Sequence, residues 1–576
     1  MIGVIPLLLI VWLVVVLVQR SRRTVGVGGG HEHAARRFVQ YVFLLAAAFT
    51  LATGLAQLVG AALPVETFAQ RRAVDVALGI SLTVVAAPIA FLLGRGVGRR
   101  LRTDPGERAS VAWALYLVIA LGVSLLTAFT QLYAVGRWLI GADPYLPDSV
   151  AQALVWTLFW ASHVRIATDA RLRPTAPQAR LAALFGSAVG LVGLAVGGGG
   201  VIASGLREVQ IQILGPSLIE EDLGLALGSS LILAVLGGLV WGWHWLRVEL
   251  DGEPDVLWHA YVLLAGVFAG LLTAVISGGL AIHSVLQWWL GDPSAVTAAA
   301  HFDALPSQLA ATVAGAGVWG YHRSVLDRRA VRAEPDRVHE YLASTLGLIA
   351  AAAGVTVAIM AFIQGVTPGA LASTDASGRN ALIVAATLLL VGAPLWWLFW
   401  HRLERRIATG DEAERASPAR RIALVLLLGA GSLTAAISLA VILYVVIRDL
   451  LERQLDLTVL VDLRAAIGLI VTAATVATYH AYLYRRDRAL LPVEEVAHPR
   501  DVLLLSPDGR TLVSAVAAGT GARVHGLHRL DLDAATDTDM IDVDRVSAAI
   551  LASPFDRVLV TVDREGTVSV VPYEPV

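Results

Sequence analysis

The chain has 576 residues, of which 56% are hydrophobic and only 16% are charged, and its formal net charge at pH 7 is −2. This composition is too apolar for a surface that faces water, so the lipid bilayer must be the solvent for most of the chain. The absence of cysteine excludes disulfides, iron–sulfur clusters and cysteine nucleophiles. All 44 basic residues are arginines, which excludes Schiff-base and P-loop lysine mechanisms.

Thirteen apolar stretches have the length of about 20 residues that a helix needs to cross a hydrocarbon core of about 30 Å. Backbone polar groups cannot remain unpaired in lipid, so these stretches predict an all-α polytopic membrane helix bundle. The predicted spans are residues 2–18, 38–63, 73–94, 111–135, 150–166, 181–206, 223–246, 257–283, 308–325, 341–366, 381–400, 422–446 and 465–483.

The distribution of arginines predicts the orientation. Residues 2–18 have no basic segment before them and no small-residue cleavage site, and Arg20, Arg22 and Arg23 follow, so we expect an anchor that starts outside. When the loops are assigned alternately from there, 29 arginines fall in inner loops, 8 in outer loops and 7 in the tail. We expect an inner (plasma) membrane protein, and the positive-inside rule predicts that its N-terminus is outside and its C-terminus cytoplasmic.

The twelve spans after the anchor form six predicted hairpins, and five hairpins end in a related motif. The copies read SHVR, WHWLR, YHR, WHR and YHAYLYRR. Their histidines are His163, His244, His322, His401 and His480, at intervals of 81, 78, 79 and 79 residues. The first hairpin ends in FLLGRGVGRR and lacks the histidine, as a degenerate terminal repeat would. All hairpins enter the membrane from one side, which predicts parallel repeats about an axis along the membrane normal.

With these motifs the chain resembles uncharacterised prokaryotic multi-pass membrane proteins built from tandem copies of a transmembrane-hairpin domain of unknown function. The resemblance covers roughly residues 35–490, and it implies a topology but no activity. The predicted division is an N-terminal anchor with a basic loop (1–33), hairpin repeats 1 to 6 (34–108, 109–174, 175–255, 256–337, 338–418 and 419–490) and a cytoplasmic domain (496–576).

The repeated motif supplies a candidate ligand or lipid site at the inner membrane interface. Trp160, Trp241 and Trp319 each precede a motif histidine by three residues, which is one helical turn. Arg323 and Arg402 directly follow their histidines. Five imidazoles at one depth could bind a metal, an anionic head group or a cytoplasmic ligand. The alternative interpretation needs no ligand, because tryptophan, histidine and arginine are typical of helix ends at the head groups.

The middles of the predicted spans contain few polar residues. No Asp, Glu or Arg lies near a mid-membrane position, which argues against a proton-coupled pump. The polar residues there are Gln57, Gln131, Gln152 and Gln364, which we expect to form hydrogen bonds between helices. The sixth span contains Gly186, Gly190, Gly193 and the glycine run 197–200. These glycines predict close helix packing, with the broken helix of a transporter as the alternative.

The composition changes at residue 496, after which 12 acidic residues stand against 7 arginines. The segments DVLLLS, RVLVTVD and TVSVVPY predict strands, the last two joined by a turn at 564–566, and residues 543–552 predict a helix. We therefore expect a small C-terminal α+β domain of about 75 residues. The GTG at 519–521 is too short for a phosphate loop, and we expect His525 and His528 to be surface residues.

These patterns predict a non-enzymatic scaffold or sensor without cofactor or metal, with membrane lipids and a cytoplasmic protein as partners and no nucleic acid. The alternative is a transporter or channel for a neutral or lipophilic small solute. A lipid-modifying enzyme would need an acid, a base or a nucleophile converging at one leaflet. The histidine series is the one set of residues that could converge in this way. No carboxylate accompanies the histidines at a fixed spacing.

Overall fold

The computed structural model describes thirteen segments of the chain. They are residues 30–64, 69–215, 222–250, 252–293, 295–327, 334–367, 375–454, 456–490, 501–506, 511–528, 542–553, 555–562 and 567–574. The chain divides into two compact units, Met1–Leu483 and Tyr484–Val576, which are described separately below. The first predicted span, residues 2–18, lies outside the described residues.

Long helices form consecutive pairs along the described part of the first unit, and each pair packs as a hairpin. In chain order they are α1 (Gly30–Ala62), α2 (Ala69–Thr103), α3 (Val111–Leu139), α4 (Pro147–Thr168), α5 (Arg180–Leu214), α6 (Leu223–Glu249), α7 (Val256–Leu290), α8 (Leu305–Asp327), α9 (Glu334–Val366), α10 (Asp375–Ala408), α11 (Pro418–Leu451) and α12 (Val459–Leu490). Each coincides with one predicted span from residue 38 onward. Helix α12 runs past the boundary between the two units.

Ten of these helices are long and apolar enough to cross a membrane, and α4 and α8 are not among the ten. Both are shorter and carry polar residues near their ends, for example Asp148 and Arg165 in α4. The described chain is therefore that of a membrane-embedded helical protein. The count of thirteen spans, the orientation and the parallel arrangement of the repeats stay predictions.

Glycines let the helices of a hairpin touch. A Cβ atom at Gly190 of α5 would overlap the backbone of Trp241 in α6, and a Cβ atom at Gly347 of α9 would overlap that of Trp396 in α10. The predicted close packing of the glycine-rich sixth span is therefore confirmed. Helix α5 continues unbroken through residues 197–200, so the alternative of a broken helix is wrong.

The first helix of each hairpin also contacts the hairpin that follows it. Helix α1 packs on α4, α3 on α5 and α6, α5 on α8, α7 on α9 and α10, and α9 on α11 and α12. The hairpins are thus arranged in sequence order, each held by its neighbours. We call the helix ends that carry the five motif histidines the histidine end. Two buried aromatic clusters lie there, one around Trp113 and Tyr116 and one around Trp245 and Tyr261.

The second unit contains a four-stranded sheet. Its strands are β1 (Asp501–Ser506), β2 (Arg523–His528), β3 (Arg557–Val562) and β4 (Val568–Pro572), in the order β2-β1-β3-β4, with helices α13 (Thr511–Thr520) and α14 (Val543–Leu551). Strand β1 pairs in parallel with β2 and β3, and β3 pairs antiparallel with β4. The predicted small α+β region is therefore confirmed, including its three strands and its helix.

Helix α13 and strand β2 were not predicted. The β2 sequence RVHGLH holds a glycine and two histidines, and such residues do not give the alternation of a half-buried strand. It is an edge strand that pairs with β1 alone, so tertiary pairing rather than propensity defines it. The His525 side chain is 57% exposed, with Nε2 3.5 Å from Asp501 Oδ1, which confirms the predicted surface position of that histidine.

Candidate functional site at the histidine end

Four of the five motif histidines are buried. The exposed fraction of His322 is 0% and that of His480 is 1%, while His163 and His244 are below a tenth. His401 is half-buried and stacks on Trp397 of its own helix, with ring centroids 4.7 Å apart. The five equivalent positions in sequence therefore differ in their surroundings.

The buried histidines share one hydrogen-bond geometry. In each, Nδ1 lies 2.7 to 2.9 Å from the carbonyl oxygen four residues earlier, that is Phe159, Val240, Val318 and Val476. A carbonyl oxygen only accepts, so Nδ1 carries the proton and Nε2 is an acceptor. The Tyr116 hydroxyl donates to His163 Nε2 at 3.1 Å. Among the described residues, Nε2 of His322 and of His480 has no hydrogen-bond partner.

The motif tryptophans contact histidines of the following hairpin. The ring centroids lie 6.0 Å apart for Trp160 and His244 and 6.5 Å apart for Trp241 and His322. Trp319 instead donates from Nε1 to Nε2 of His339, at 3.2 Å. These contacts place aromatic rings between consecutive hairpins, where they add to helix packing.

The structure does not gather the five histidines into one site. Among the described residues, no ring contact joins two of them, and no group of three or more His, Asp or Glu side chains could hold a metal ion. Arg323 forms an ion pair with Asp327 in its own helix at 3.3 Å, and Arg402 is exposed. The candidate residues therefore have separate surroundings, some in contacts between hairpins and others, such as Arg323 and His401, in contacts within their own helix.

Several glutamates that the sequence patterns did not predict as site residues are buried in the structure, and the first is Glu107. Arg37 Nε lies 2.7 Å from a carboxylate oxygen of Glu107, and Tyr41 donates a hydrogen bond to the other oxygen at 2.8 Å. Glu107 lies in a one-turn helix (Pro105–Arg108) between α2 and α3 and is 1% exposed. The ion pair thus ties the start of α1 to the junction between the first two hairpins.

The same arrangement recurs in the last two hairpins. Arg337 Nε lies 3.3 Å from Glu414, and the Tyr341 hydroxyl donates to Glu414 at 2.9 Å. Glu414 lies in a short helix (Glu412–Ala416) between α10 and α11 and is fully buried. A buried carboxylate needs charged or hydrogen-bonding partners, and the arginine and the tyrosine supply them.

A related ion pair, in which none of the described tyrosines takes part, joins the start of α5 to the end of α6. Arg180 Nε lies 2.5 Å from Glu249, and its NH1 lies 3.1 Å from Asp255. Although burial alone would raise the pKa of Asp255, a hydrogen bond from the backbone of Trp258 and the charge of Arg180 hold it below its usual range. We call the ion pairs Arg37–Glu107, Arg180–Glu249 and Arg337–Glu414 the Arg–Glu clasps.

Two sequence patterns mark the first and the last clasp. The tetrapeptide ERAS occurs at 107–110 and again at 414–417, and an arginine precedes a tyrosine by four residues at 37–41 and at 337–341. Both patterns recur four hairpins later along the chain, after 300 residues for the arginine and tyrosine and after 307 for ERAS. Neither pattern recurs in every hairpin, in contrast to the histidine motif, which five of the six hairpins share. The oxygens of Glu107 are engaged by Arg37 and Tyr41, which indicates a structural role.

Replacing His322 with glutamine separates a structural role from a shared ligand site. We expect His322→Gln to lower the free energy of unfolding by about 1–3 kcal/mol, because a buried donor and its ring contacts are lost. His401→Gln is the control, and its effect should stay within about 0.5 kcal/mol because His401 is half-buried. Unfolding in a detergent titration measures both. Equal effects, with loss of a copurifying metal or lipid from both variants, would favour a shared site.

Two segments of the chain match the model of one family, described as Domain of unknown function (DUF5671). They are residues 37–162 and 337–475, so each begins at a clasp arginine and extends over four helices, α1–α4 and α9–α12. No curated protein and no solved structure matches the sequence. The two matches are consistent with tandem copies of one domain of unknown function, and each match covers two hairpins.

Proposed function

We propose that the protein is a non-enzymatic membrane scaffold whose C-terminal domain docks a cytoplasmic protein. In this proposal it lies in a bacterial plasma membrane, with the N-terminus outside and the histidine end and C-terminal domain inside. The ten apolar helices and the two matches to a domain of unknown function fit an integral membrane protein. The scaffold role is an inference from how the buried polar groups are used.

Buried polar side chains of the helix array link helices to one another, and this observation carries the proposal. Thr356 of α9 and Thr472 of α12 share a hydrogen bond of 2.9 Å between their hydroxyls. Trp400 donates from Nε1 to the hydroxyl of Tyr479 at 2.8 Å, which joins α10 to α12. Polar groups used in this way add cohesion in a medium where they find no water.

The buried charges support the same role. Among the described residues, the buried acidic side chains lie in loops or near helix ends: Glu107, Glu249, Glu340, Glu414, Asp449 and Asp487. A proton relay would place ionisable groups along the middle of the helices. The positions of these acidic side chains suit cohesion between the ends of the helices better than proton transfer through the centre of the array.

The C-terminal domain offers surfaces that suit docking. Strands β2 and β4 are the edges of the sheet, and an edge strand presents unpaired backbone donors and acceptors. Each edge carries an exposed apolar side chain, with Leu527 44% exposed on β2 and Val571 47% exposed on β4. An extended segment of a partner protein can add to such an edge.

A transporter or channel for a neutral or lipophilic solute is the alternative. A crevice of about 480 Å³ between α5, α7 and α8 favours it, since a cavity of this size suits a small molecule. The crevice is lined by alanine, glycine, valine and leucine with two hydroxyl residues, Thr273 and Ser307. Such a lining suits an apolar ligand better than a polar solute.

A permeability measurement separates scaffold from conduit. We expect liposomes that contain the full chain to take up glycerol and urea at the same rate as protein-free liposomes, because the buried polar groups are paired between helices. Stopped-flow light scattering measures the rate. An uptake rate that rises in proportion to the protein content would establish a conduit and contradict the scaffold.

Photo-crosslinking in cells tests the docking role. A photoreactive amino acid at Leu527 or at Val571 should give one covalent adduct of defined larger mass, because both positions lie on sheet edges. The same amino acid at Asp544, which is exposed on helix α14 and not on an edge strand, is the matched control. If neither edge position yields an adduct, or if Asp544 yields the same one, edge docking is wrong.

A further inference from the structure

The hairpins group into three pairs, α1–α4, α5–α8 and α9–α12, and each pair begins with a clasp arginine. Only the first and the last pair lie within the matched segments. When Arg180 is aligned with Arg337, Gly190 falls on Gly347, and both glycines pack against a tryptophan backbone of the next helix. The shared contacts indicate that the middle pair is a third, diverged copy.

The middle pair differs from the last pair at one contact between its first and fourth helices. In the same alignment Gly199 of α5 falls on Thr356 of α9, and Ala314 of α8 falls on Thr472 when His322 is aligned with His480. In the last pair these two threonines share a hydrogen bond. In the middle pair, Gly199 and Ala314 are too small to fill the space that two threonine side chains would occupy.

The space is the crevice between α5, α7 and α8, which has a volume of about 480 Å³. Its lining along α5 extends from Ala188 to Ala203, about 22 Å at a rise of about 1.5 Å per residue. Its rim includes Val192 and Val196, which are 61% and 58% exposed, so the crevice opens to the outside of the array. In a membrane that side faces acyl chains.

An ion pair lies about one helical turn beyond one end of the crevice. Arg207 follows Ala203 by one helical turn on α5, and Asp303 precedes Ser307 of α8 by the same interval. Arg207 NH1 lies 2.7 Å from Asp303 Oδ1, and the Asp303 side chain is 48% exposed. A cation and an accessible anion therefore lie side by side near that end of the crevice.

We propose that this crevice binds one acyl chain of a zwitterionic glycerophospholipid, whose head group lies on Arg207 and Asp303. The guanidinium can donate to the phosphate, and the carboxylate can accept from the ammonium. An anionic lipid without an ammonium would meet the charge of Asp303 unfavourably. The acyl chain supplies the van der Waals contacts that the small lining residues leave unmade.

π-Helical segments accompany the divergence of the middle pair. Helix α6 ends in a π-helical segment, Gly242–Glu249, and α7 contains another, Tyr261–Phe268. Such segments are often found at functional sites. Ala265 of the second segment lines the crevice, and Gly266 beside it packs against His322. The crevice therefore lies directly beside the aromatic cluster at the histidine end.

Native mass spectrometry of the delipidated full chain, titrated with palmitoyl-oleoyl phosphatidylethanolamine, tests the proposal. We expect one saturable adduct. Gly199→Thr should weaken it at least about tenfold, because the side chain enters the crevice. Gly198→Thr is the matched control with the same change in helix propensity, since Gly198 does not line the crevice and a Cβ atom there meets nothing within 4 Å. It should bind as the wild type does.

A second variant keeps the test decisive if Gly199→Thr fails to fold. Ala311→Leu fills the same crevice from α8 and should weaken the adduct similarly. Equal binding by wild type, Gly199→Thr and Ala311→Leu would overturn the site. Asp303→Asn should abolish any preference for phosphatidylethanolamine over phosphatidylglycerol, and a wild type without that preference would overturn the head-group assignment. None of these outcomes depends on the proposed docking or on solute flux.

Discussion

In lipid a buried polar group has no water to bond, so it must find a partner inside the protein. The Arg–Glu clasps meet this constraint for the buried charges at the histidine end. Each ties the first helix of a pair to the junction between its two hairpins, as Arg37 does with Glu107 and Arg337 with Glu414. The clasps thereby hold consecutive hairpins together at the histidine end. The aromatic side chains there pack between helix ends whose positions the clasps fix.

Repetition lets one copy change while its neighbours keep the array together. In repeat proteins, stability is approximately a sum of the repeats and the interfaces between neighbours. The middle pair retains its clasp, Arg180 with Glu249, and the glycine contact at Gly190. At the positions of the last pair's two threonines it has Gly199 and Ala314, and both of these line the crevice. A change inside one pair can thus add a binding site without loss of the overall arrangement.

The sequence predicted the helices well, because a long apolar stretch has few alternatives in lipid. It also predicted that tryptophans and histidines recur at one end. It did not predict that Trp160 contacts the histidine of the next hairpin, since that contact depends on how hairpins pack. Glu107 and Glu414 were missed because they lie in short connections between long helices and recur only four hairpins apart. Strand β2 was missed because pairing, not propensity, defines it.

A double-mutant cycle on Arg337 and Glu414 tests most directly whether the clasps hold the array. Both residues are changed to glutamine, singly and together, and the free energy of unfolding is measured. Because the pair is buried, we expect each single change to cost about 3–5 kcal/mol and the pair to show a coupling of at least about 1.5 kcal/mol. The exposed pair Arg323 and Asp327 is the control, with a coupling of at most about 1 kcal/mol. Additive effects of Arg337→Gln and Glu414→Gln would contradict the account.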